Sequence, residues 1–211
     1  MPGQLPFPPV QLVTGPWRDI DDLVARVGAA LDGGLRWVQL RAGDRGAHEL
    51  YEATVALRPL TRDAGAMLIV NGRVDIAIAA EADGVHLPEA GLAPAVARKL
   101  LGAGAWIARS VHSVAAIRAL LPGEVDAVQF GPVYETASKR GFGAPQGLEL
   151  LAAAAAAAHG PPATRILAVG GVNAGRLAAC RAAGADAVSV IGAIWEAPDI
   201  RAAARAFADF C

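Results

Sequence analysis

The stretch AMLIV, residues 66–70, is a run of five apolar residues with no polar residue between them. A strand with one face in water alternates apolar and polar residues, whereas a strand covered on both faces is apolar throughout. The stretch RILAVG, residues 165–170, is also nearly all apolar. These runs therefore predict strands of a parallel sheet covered on both faces, or of a barrel whose inside is packed with side chains.

Similar β-rich runs recur along the chain, at residues 10–14, 35–41, 66–71, 84–87, 105–110, 125–131, 166–170 and 187–191. Helical patterns lie between them: one over residues 19–31 has apolar residues at helical spacing, and one over residues 113–121 opens on Ser113 as its N-cap residue. Strand and helix alternate throughout, which predicts a (β/α)8 TIM barrel of the α/β class. An open doubly wound sheet is the structural rival, but it rarely needs eight evenly spaced parallel strands.

Length and composition limit the function. Barrels of roughly 200 to 250 residues commonly form one domain, so residues 1–211 are expected to be a single TIM-barrel domain, with residues 1–9 as a poorly ordered N-terminal extension. The formal net charge is -1, which gives no sign of nucleic-acid binding and favours a small-molecule ligand. The chain shows no signal-type leader and no apolar run of membrane-spanning length, so no membrane partner and a cytoplasmic location are expected.

Functional groups of a barrel lie at the carboxyl ends of its strands and in the loops that follow. Polar residues or glycine occupy nearly every such end in this sequence. The predicted substrate-binding residues are Arg41, Asn71, Ser110, Thr136, Ser138, Lys139, Gly170, Gly171, Ile191 and Gly192.

A phosphate site is predicted after strands seven and eight. The stretch AVGGVNAG ends its strand at Gly170 and Gly171, and Gly192 follows the eighth strand. Backbone amides without a neighbouring Cβ can approach a phosphate closely, and barrels often bind phosphate between these two loops. The alternative is that these glycines only form tight turns. The paired positions favour a phosphorylated small molecule.

Three residues are candidates for proton transfer. His86 and His112 end adjacent strands, and an imidazole titrates near neutral pH. Glu135 lies in the loop QFGPVYETASKRG, residues 129–141. A lone His is more often a core or rim residue with its hydrogen bonds satisfied, and a loop carboxylate is more often solvated or paired with a neighbour such as Lys139 or Arg140. Arg41 and Lys139 can neutralise anionic groups of a ligand or be surface cations. No carboxylate cluster follows the strands, so no metal site and no cofactor are expected.

Six segments together resemble the thiamine phosphate synthase and TenI superfamily of barrels: WVQLR, IVNGRVDIA, DGVHLPEAG, ARSVHS, FGPVYETASKRG and AVGGV. The resemblance covers nearly the whole chain in order and implies a phosphorylated thiazole ligand and a homodimer. Two activities occur in the superfamily. The synthase joins a pyrimidine pyrophosphate to a thiazole phosphate with Mg²⁺, whereas the TenI-type tautomerase aromatises a thiazole carboxylate phosphate by moving a proton.

The synthase pattern is incomplete in this sequence. Its pyrophosphate-binding Arg corresponds to Arg41, but the Lys two positions later is Gly43. The metal-binding Asp of its Asn-Asp-Arg segment corresponds to Gly72, and Glu89 is the only acid in the segment PEAGL. The segments NGRVDIA, HLP and RSVHS read like TenI, so a tautomerase-like isomerase is the preferred hypothesis. Pro132, however, stands where that tautomerase carries its proton-transferring His, so His112, His86 or Glu135 would have to take its place.

Two alternatives stay open at this point. One is thiamine phosphate synthase, a transferase, for which Mg²⁺ would be needed. The other is a regulatory barrel that binds thiazole phosphate without catalysis.

Overall fold

The computed structural model describes residues 9–120, 123–136, 144–160 and 163–209. Within them, eight parallel strands hydrogen-bond in chain order and close into a barrel, with β1 paired to both β2 and β8. This confirms the predicted (β/α)8 barrel and rules out the open sheet. The strands are β1 Val10–Val13, β2 Trp37–Leu40, β3 Met67–Asn71, β4 Gly84–Leu87, β5 Trp106–Val111, β6 Ala127–Phe130, β7 Arg165–Val169 and β8 Ala187–Val190.

Helices follow the strands as the alternation predicts. They are α1 Ile20–Asp32, α2 Ala47–Asp63, α3 Val74–Ala79, α4 Pro94–Leu101, α5 Val114–Arg118, α6 Gly147–Ala158, α7 Leu177–Ala182, α8 Gly192–Trp195 and α9 Ile200–Ala208. A 3-10 turn at Ala174–Arg176 precedes α7. None of the helices in the described part of the chain has the length and apolar character needed to span a bilayer.

Side-chain caps begin two of the helices close to where the sequence predicts. Asp19 accepts a hydrogen bond from the backbone of Asp22 at 2.8 Å and begins α1. Ser113 accepts one from the backbone of Ala116 at 3.1 Å and begins α5. Helix α5 ends at Arg118, earlier than the predicted end at residue 121, which lies outside the described residues.

The inside of the barrel is built in layers, because alternate residues of each strand point to its axis. The two lower layers are mainly apolar and form a buried cluster of Trp37, Ile69, Ala108, Ala127, Leu167 and Ala187. The next layer comes from the even-numbered strands and is polar: Gln39, His86, Gln129 and Ser189. The uppermost layer comes from the odd-numbered strands: Val13, Asn71, Ser110 and Val169. The barrel is therefore sealed by apolar packing at one end and opens on polar side chains at the other.

Candidate active site

A cavity of about 510 Å³ lies at the carboxyl ends of the strands. This volume is within the usual range for small-molecule sites. Every predicted site residue that the structure describes lines the cavity: Arg41, Asn71, His86, Ser110, His112, Glu135, Thr136, Gly170, Gly171, Ile191 and Gly192. Ser138 and Lys139 lie outside the described residues. The structure thus brings the described candidates to one site, while their individual roles stay predictions.

A buried hydrogen-bond network forms the floor of the cavity. The Gln129 amide nitrogen lies 2.5 Å from Gln11 Oε1, 3.0 Å from Gln39 Oε1 and 2.7 Å from Ser189 Oγ. The Ser189 hydroxyl also donates to Gln11 Oε1 at 2.9 Å. An amide nitrogen carries only two hydrogens, so Gln129 shares them among three acceptors. The network holds the Gln129 and Gln39 amides in fixed positions at the base of the cavity.

His86 is almost completely buried, at 2% exposure, and its Nε2 lies 2.8 Å from the Ser110 hydroxyl. These residues occupy adjacent strands, β4 and β5, one layer apart. A hydroxyl can either donate to the imidazole or accept from it. The pair therefore presents a polar group to the cavity that can adapt to a ligand donor or acceptor.

His112 is held by a carboxylate instead. Its Nδ1 lies 2.7 Å from Glu89 Oε2, and both side chains are partly exposed. The backbone carbonyl of His112 accepts a hydrogen bond from Gln146 Nε2 at 3.0 Å, and Gln146 Nε2 also donates to the Gly131 carbonyl at 3.1 Å. The Gln146 side chain therefore ties the ends of β5 and β6 together. Glu135, the third proton-transfer candidate, is exposed at the rim.

The loop after β6 packs directly on Gly170 and Gly171. The Tyr134 N–H donates to the Gly170 carbonyl at 3.0 Å. Both glycines have positive φ, 95° and 65°. A Cβ at Gly170 would lie 2.6 Å from Pro132 Cβ, and one at Gly171 would lie 2.6 Å from the Glu135 carbonyl oxygen. Glycine is thus required here by backbone packing as well as by the conformation. The phosphate-binding role stays a prediction beside this structural one.

Arg41 lies at the opening after β2. Its backbone N–H donates to Thr14 Oγ1 at 2.9 Å, and the Thr14 hydroxyl donates to the Arg41 carbonyl at 3.1 Å. This reciprocal pair fixes the backbone at the ends of β1 and β2. The Arg41 side chain is exposed and lines the cavity, so its guanidinium is available to an anionic ligand.

The residues present do not form the Mg²⁺ site that the resemblance implies. Gly72 supplies no side-chain oxygen, and the Glu89 carboxylate is hydrogen-bonded to His112. In the described part of the chain, no three His, Cys, Asp or Glu side chains are grouped as a metal site requires. Protein-bound Mg²⁺ usually takes one or two carboxylates along with phosphate oxygens of the substrate. The carboxylate pair expected from the synthase pattern is therefore missing.

Sequence reasoning missed six residues with polar side chains that line the cavity: Gln39, Gln129, Asn173, Arg176, Ser189 and Glu196. A signal for three of them exists. Gln39, Gln129 and Ser189 are the third residues of short, otherwise apolar strands, and His86 has the same place in β4. Asn173, Arg176 and Glu196 lie beyond the strand ends, and no local pattern points to their side chains as part of the cavity.

The fold and the cavity define the class of protein: a (β/α)8 barrel with a candidate active site at the carboxyl ends of its strands, where enzymes of this fold carry theirs. The family model described as thiamine monophosphate synthase matches residues 10–194. The chain therefore belongs to the thiamine monophosphate synthase family.

Individual relatives agree with this assignment. The chain is 45% identical over 179 residues to the thiamine-phosphate synthase of Moorella thermoacetica, which covers 85% of this chain and 83% of that protein. It is 43% identical over 187 residues to the thiamine-phosphate synthase of Methanoculleus marisnigri, covering 88% and 85%. Among solved structures, the thiamine phosphate pyrophosphorylase of Pyrococcus furiosus is similar with a TM-score of 0.81 at 29% identity, covering 94% of this chain and 92% of that one.

These relatives overturn the preference for a TenI-type tautomerase, and with it the isomerase assignment. That preference relied on a few short segments, whereas the identity to proteins named as synthases extends over most of the chain. The residue at position 132 agrees with this correction. It lines the cavity at the position of the tautomerase histidine, and a proline side chain cannot transfer a proton. The tautomerase hypothesis is wrong.

Proposed function

We propose that this protein is a thiamine-phosphate synthase, a transferase that joins a pyrimidine pyrophosphate to a thiazole phosphate and releases pyrophosphate. Membership of the family and the names of the relatives support this activity. One observation carries the proposal in the structure. A cavity of about 510 Å³ has the Arg41 cation at the end of β2, the glycine backbone at the ends of β7 and β8, and a polar floor between them.

Each part of the cavity suits one part of the substrates. Arg41 pairs with the pyrophosphate and stabilises the negative charge that develops as this group leaves. The backbone of Gly170, Gly171 and Gly192 faces the phosphate ester of the thiazole. Gln129 and Gln39 offer fixed amide groups to the heterocyclic rings, which holds the two reacting molecules in register.

Thr136, Ser138 and Lys139 remain proposed polar contacts of the loop after β6. His86 and Ser110 are proposed to bind a ring substituent, since they already form a polar pair facing the cavity. His112 and Glu89 form a second hydrogen-bonded polar pair, at the rim of the cavity. Assembly of this chain as a homodimer also remains a proposal.

The activity is tested by incubating the protein with both substrates, with and without Mg²⁺, and measuring thiamine phosphate and released pyrophosphate. In Arg41→Met, KM for the pyrimidine pyrophosphate should rise about 10- to 100-fold, because a charge-assisted hydrogen bond is lost. KM for thiazole phosphate should change little. Arg118→Met removes the same charge from an exposed position at the end of α5 and is the matched control.

Failure to form thiamine phosphate at high enzyme concentration, in either condition, contradicts the proposed function. Tight thiazole phosphate binding without product would also contradict it, since it identifies a binding protein. Equal effects of Arg41→Met and Arg118→Met would sink the assigned role of Arg41 alone.

A further inference from the structure

Arg176 lies at the β7 side of the cavity. It is the last residue of the 3-10 turn at Ala174–Arg176, which follows the Gly170-Gly171 pair. Its side chain is half-buried and lines the cavity. The turn therefore returns a cation to the same rim at which the glycine backbone is exposed to ligand.

Two contacts hold the Arg176 guanidinium in place. Its Cζ lies 4.3 Å from the centroid of the Tyr134 ring, and its Nη1 donates to the Gly171 carbonyl at 2.5 Å. Stacking on an aromatic face leaves the edge of the guanidinium free for further hydrogen bonds. Burial raises the pKa of the Tyr134 hydroxyl, so the tyrosine is neutral near pH 7. Both contacts orient the cation without neutralising it.

Two other partly buried arginines of the barrel are paired with acids. Arg58 contacts Asp83 at 3.0 Å, and Arg98 contacts Asp126 at 2.7 Å. Among the described residues, no carboxylate forms an ion pair with Arg176 within 4 Å. A partly desolvated charge without a counter-ion is unfavourable in the free protein. Binding an anion in the cavity would remove that cost.

We propose that Arg176 binds the phosphate monoester of the substrate, as the side-chain cation that completes the backbone site of Gly170, Gly171 and Gly192. This assignment rests on the proposed function for the identity of the ester, a thiazole phosphate. A planar guanidinium that is already oriented can bind two phosphate oxygens with little further loss of side-chain freedom.

Glu196 has the opposite charge at the same end of the cavity. It lines the cavity from the C-terminal side of α8, and a Cβ at Gly192 would lie 3.3 Å from its carboxyl carbon. A carboxylate this near to Gly192 repels a bound phosphate. Removing the charge of Arg176 should therefore weaken phosphate binding, and removing the charge of Glu196 should strengthen it.

The experiment compares binding of thiazole phosphate with binding of the corresponding alcohol by calorimetry. Arg176→Met should weaken thiazole phosphate about 10- to 100-fold and leave the alcohol within about twofold, because only the charge-assisted hydrogen bonds to the phosphate are lost. Arg176→Lys should give a smaller loss, since it keeps the charge without the planar fork. Glu196→Gln should strengthen thiazole phosphate binding, and Arg118→Met should change neither ligand.

An equal loss for both ligands in Arg176→Met would overturn the inference, because it indicates that Arg176 only supports the loop around Tyr134. Unchanged binding of both ligands would overturn it too. Arg176→Lys decides the matter if Arg176→Met does not fold, as judged by circular dichroism. If Arg176→Lys binds thiazole phosphate and the alcohol as tightly as the wild type does, the inference is overturned.

Failure of the proposed function is recognised separately. If the wild-type protein makes no thiamine phosphate, the same variants are titrated with inorganic phosphate. An affinity for inorganic phosphate that depends on Arg176 supports the anion site despite the wrong substrate. An affinity that is the same in Arg176→Met and the wild type overturns it.

Discussion

At the scale of single residues, the departures from the synthase pattern concentrate at positions without a side chain. Gly72 is the clearest case, because it stands where the resemblance places a metal-binding Asp. Its φ is 76°, and its N–H donates to the His86 carbonyl at 2.8 Å. A Cβ at this position would meet only Pro88 Cγ and Cδ, at 3.9 Å. A Cβ therefore has space here, although the side chain that would carry the carboxylate is absent.

Gly72→Asp tests whether this position still faces the pyrophosphate site. Asp tolerates the left-handed backbone better than most residues, so the substitution should cost about 1 kcal/mol of unfolding free energy. The new carboxylate adds an oxygen ligand of the type that Mg²⁺ prefers. Mg²⁺ should consequently strengthen binding of inorganic pyrophosphate more in this variant than in the wild type, as measured by calorimetry.

Gly72→Asn is the matched control, because it has the same shape without the charge. Urea unfolding of both variants measures the backbone cost separately from binding. If Mg²⁺ raises pyrophosphate affinity equally in Gly72→Asp and Gly72→Asn, the position does not contribute to a metal site.

At the scale of elements, the barrel repeats one device at the amino ends of its even-numbered strands. The residue directly before each of β4, β6 and β8 is an aspartate. Its carboxylate accepts a hydrogen bond from the backbone N–H of the second residue of the preceding strand. The same carboxylate oxygen binds a basic side chain. The three sets are Asp83 with Leu68 N–H and Arg58, Asp126 with Ile107 N–H and Arg98, and Asp186 with Ile166 N–H and His159.

The corresponding place before β2 is filled by Arg36, which donates to the carbonyls of Leu31 and Leu35 at 2.9 and 2.7 Å. Here the side chain is a donor to carbonyls instead of an acceptor for an N–H, but it too links the start of a strand to nearby backbone. The three aspartate links join strand pairs at the closed end of the barrel, opposite the cavity. Residues at that end of a barrel stabilise the fold rather than take part in catalysis.

Asp83→Ala tests the device. It removes the acceptor for the Leu68 N–H, at 2.7 Å, and for Arg58, at 3.0 Å. We expect a loss of about 2–3 kcal/mol of unfolding free energy in urea, mainly from the unsatisfied backbone donor, since a partly exposed ion pair contributes about 1 kcal/mol or less. Turnover per folded molecule should stay at the wild-type value.

Asp83→Asn keeps an acceptor oxygen for the backbone and loses only the charge. Its stability should fall by about 1 kcal/mol. A stability of Asp83→Ala equal to that of the wild type would show that the repeated carboxylate is not a stabilising feature.

At the scale of the whole molecule, the sequence predicted the barrel and most of the strand-end residues that meet at the cavity. Eight apolar runs were enough for this, because the fold fixes where strand ends lie. Three members of the polar layer, Gln39, Gln129 and Ser189, were missed, since a single polar residue in a strand of four residues does not by itself show whether its side chain points inward. Gln39 and Gln129 were therefore read as parts of apolar strands.

The remaining errors have a different origin. Arg176 lines the cavity only because a 3-10 turn returns it to the rim beneath Tyr134, a contact between two loops that are far apart in sequence. The branch of the family was misjudged because short segments such as NGRVDIA were given more weight than similarity along the whole chain. Local motifs locate a site on a fold of this kind, but its chemistry depends on residues from many strands.

The polar floor joins stability to function across the whole barrel, and Gln129 is its centre. Gln129→Leu leaves Gln11 Oε1 and Gln39 Oε1 without this donor, which should cost about 1–3 kcal/mol of unfolding free energy. In Gln11→Leu/Gln129→Leu both partners of the shortest contact become apolar, so the double variant should lose less than the sum of the single losses. Urea unfolding of the four proteins gives the coupling energy, expected at about 1 kcal/mol.

Ligand binding should behave differently from stability in the same four proteins. Both variants that lack Gln129 should bind the pyrimidine and thiazole substrates more weakly, because a leucine offers no hydrogen bond to a ring at the base of the cavity. The double variant should therefore show sub-additive losses of stability, whereas its affinity should stay as low as that of Gln129→Leu. Strictly additive unfolding energies would show that the Gln11 and Gln129 side chains do not act as a pair. Wild-type affinity in Gln129→Leu would show that the floor supports the barrel and takes no part in recognising the ligand.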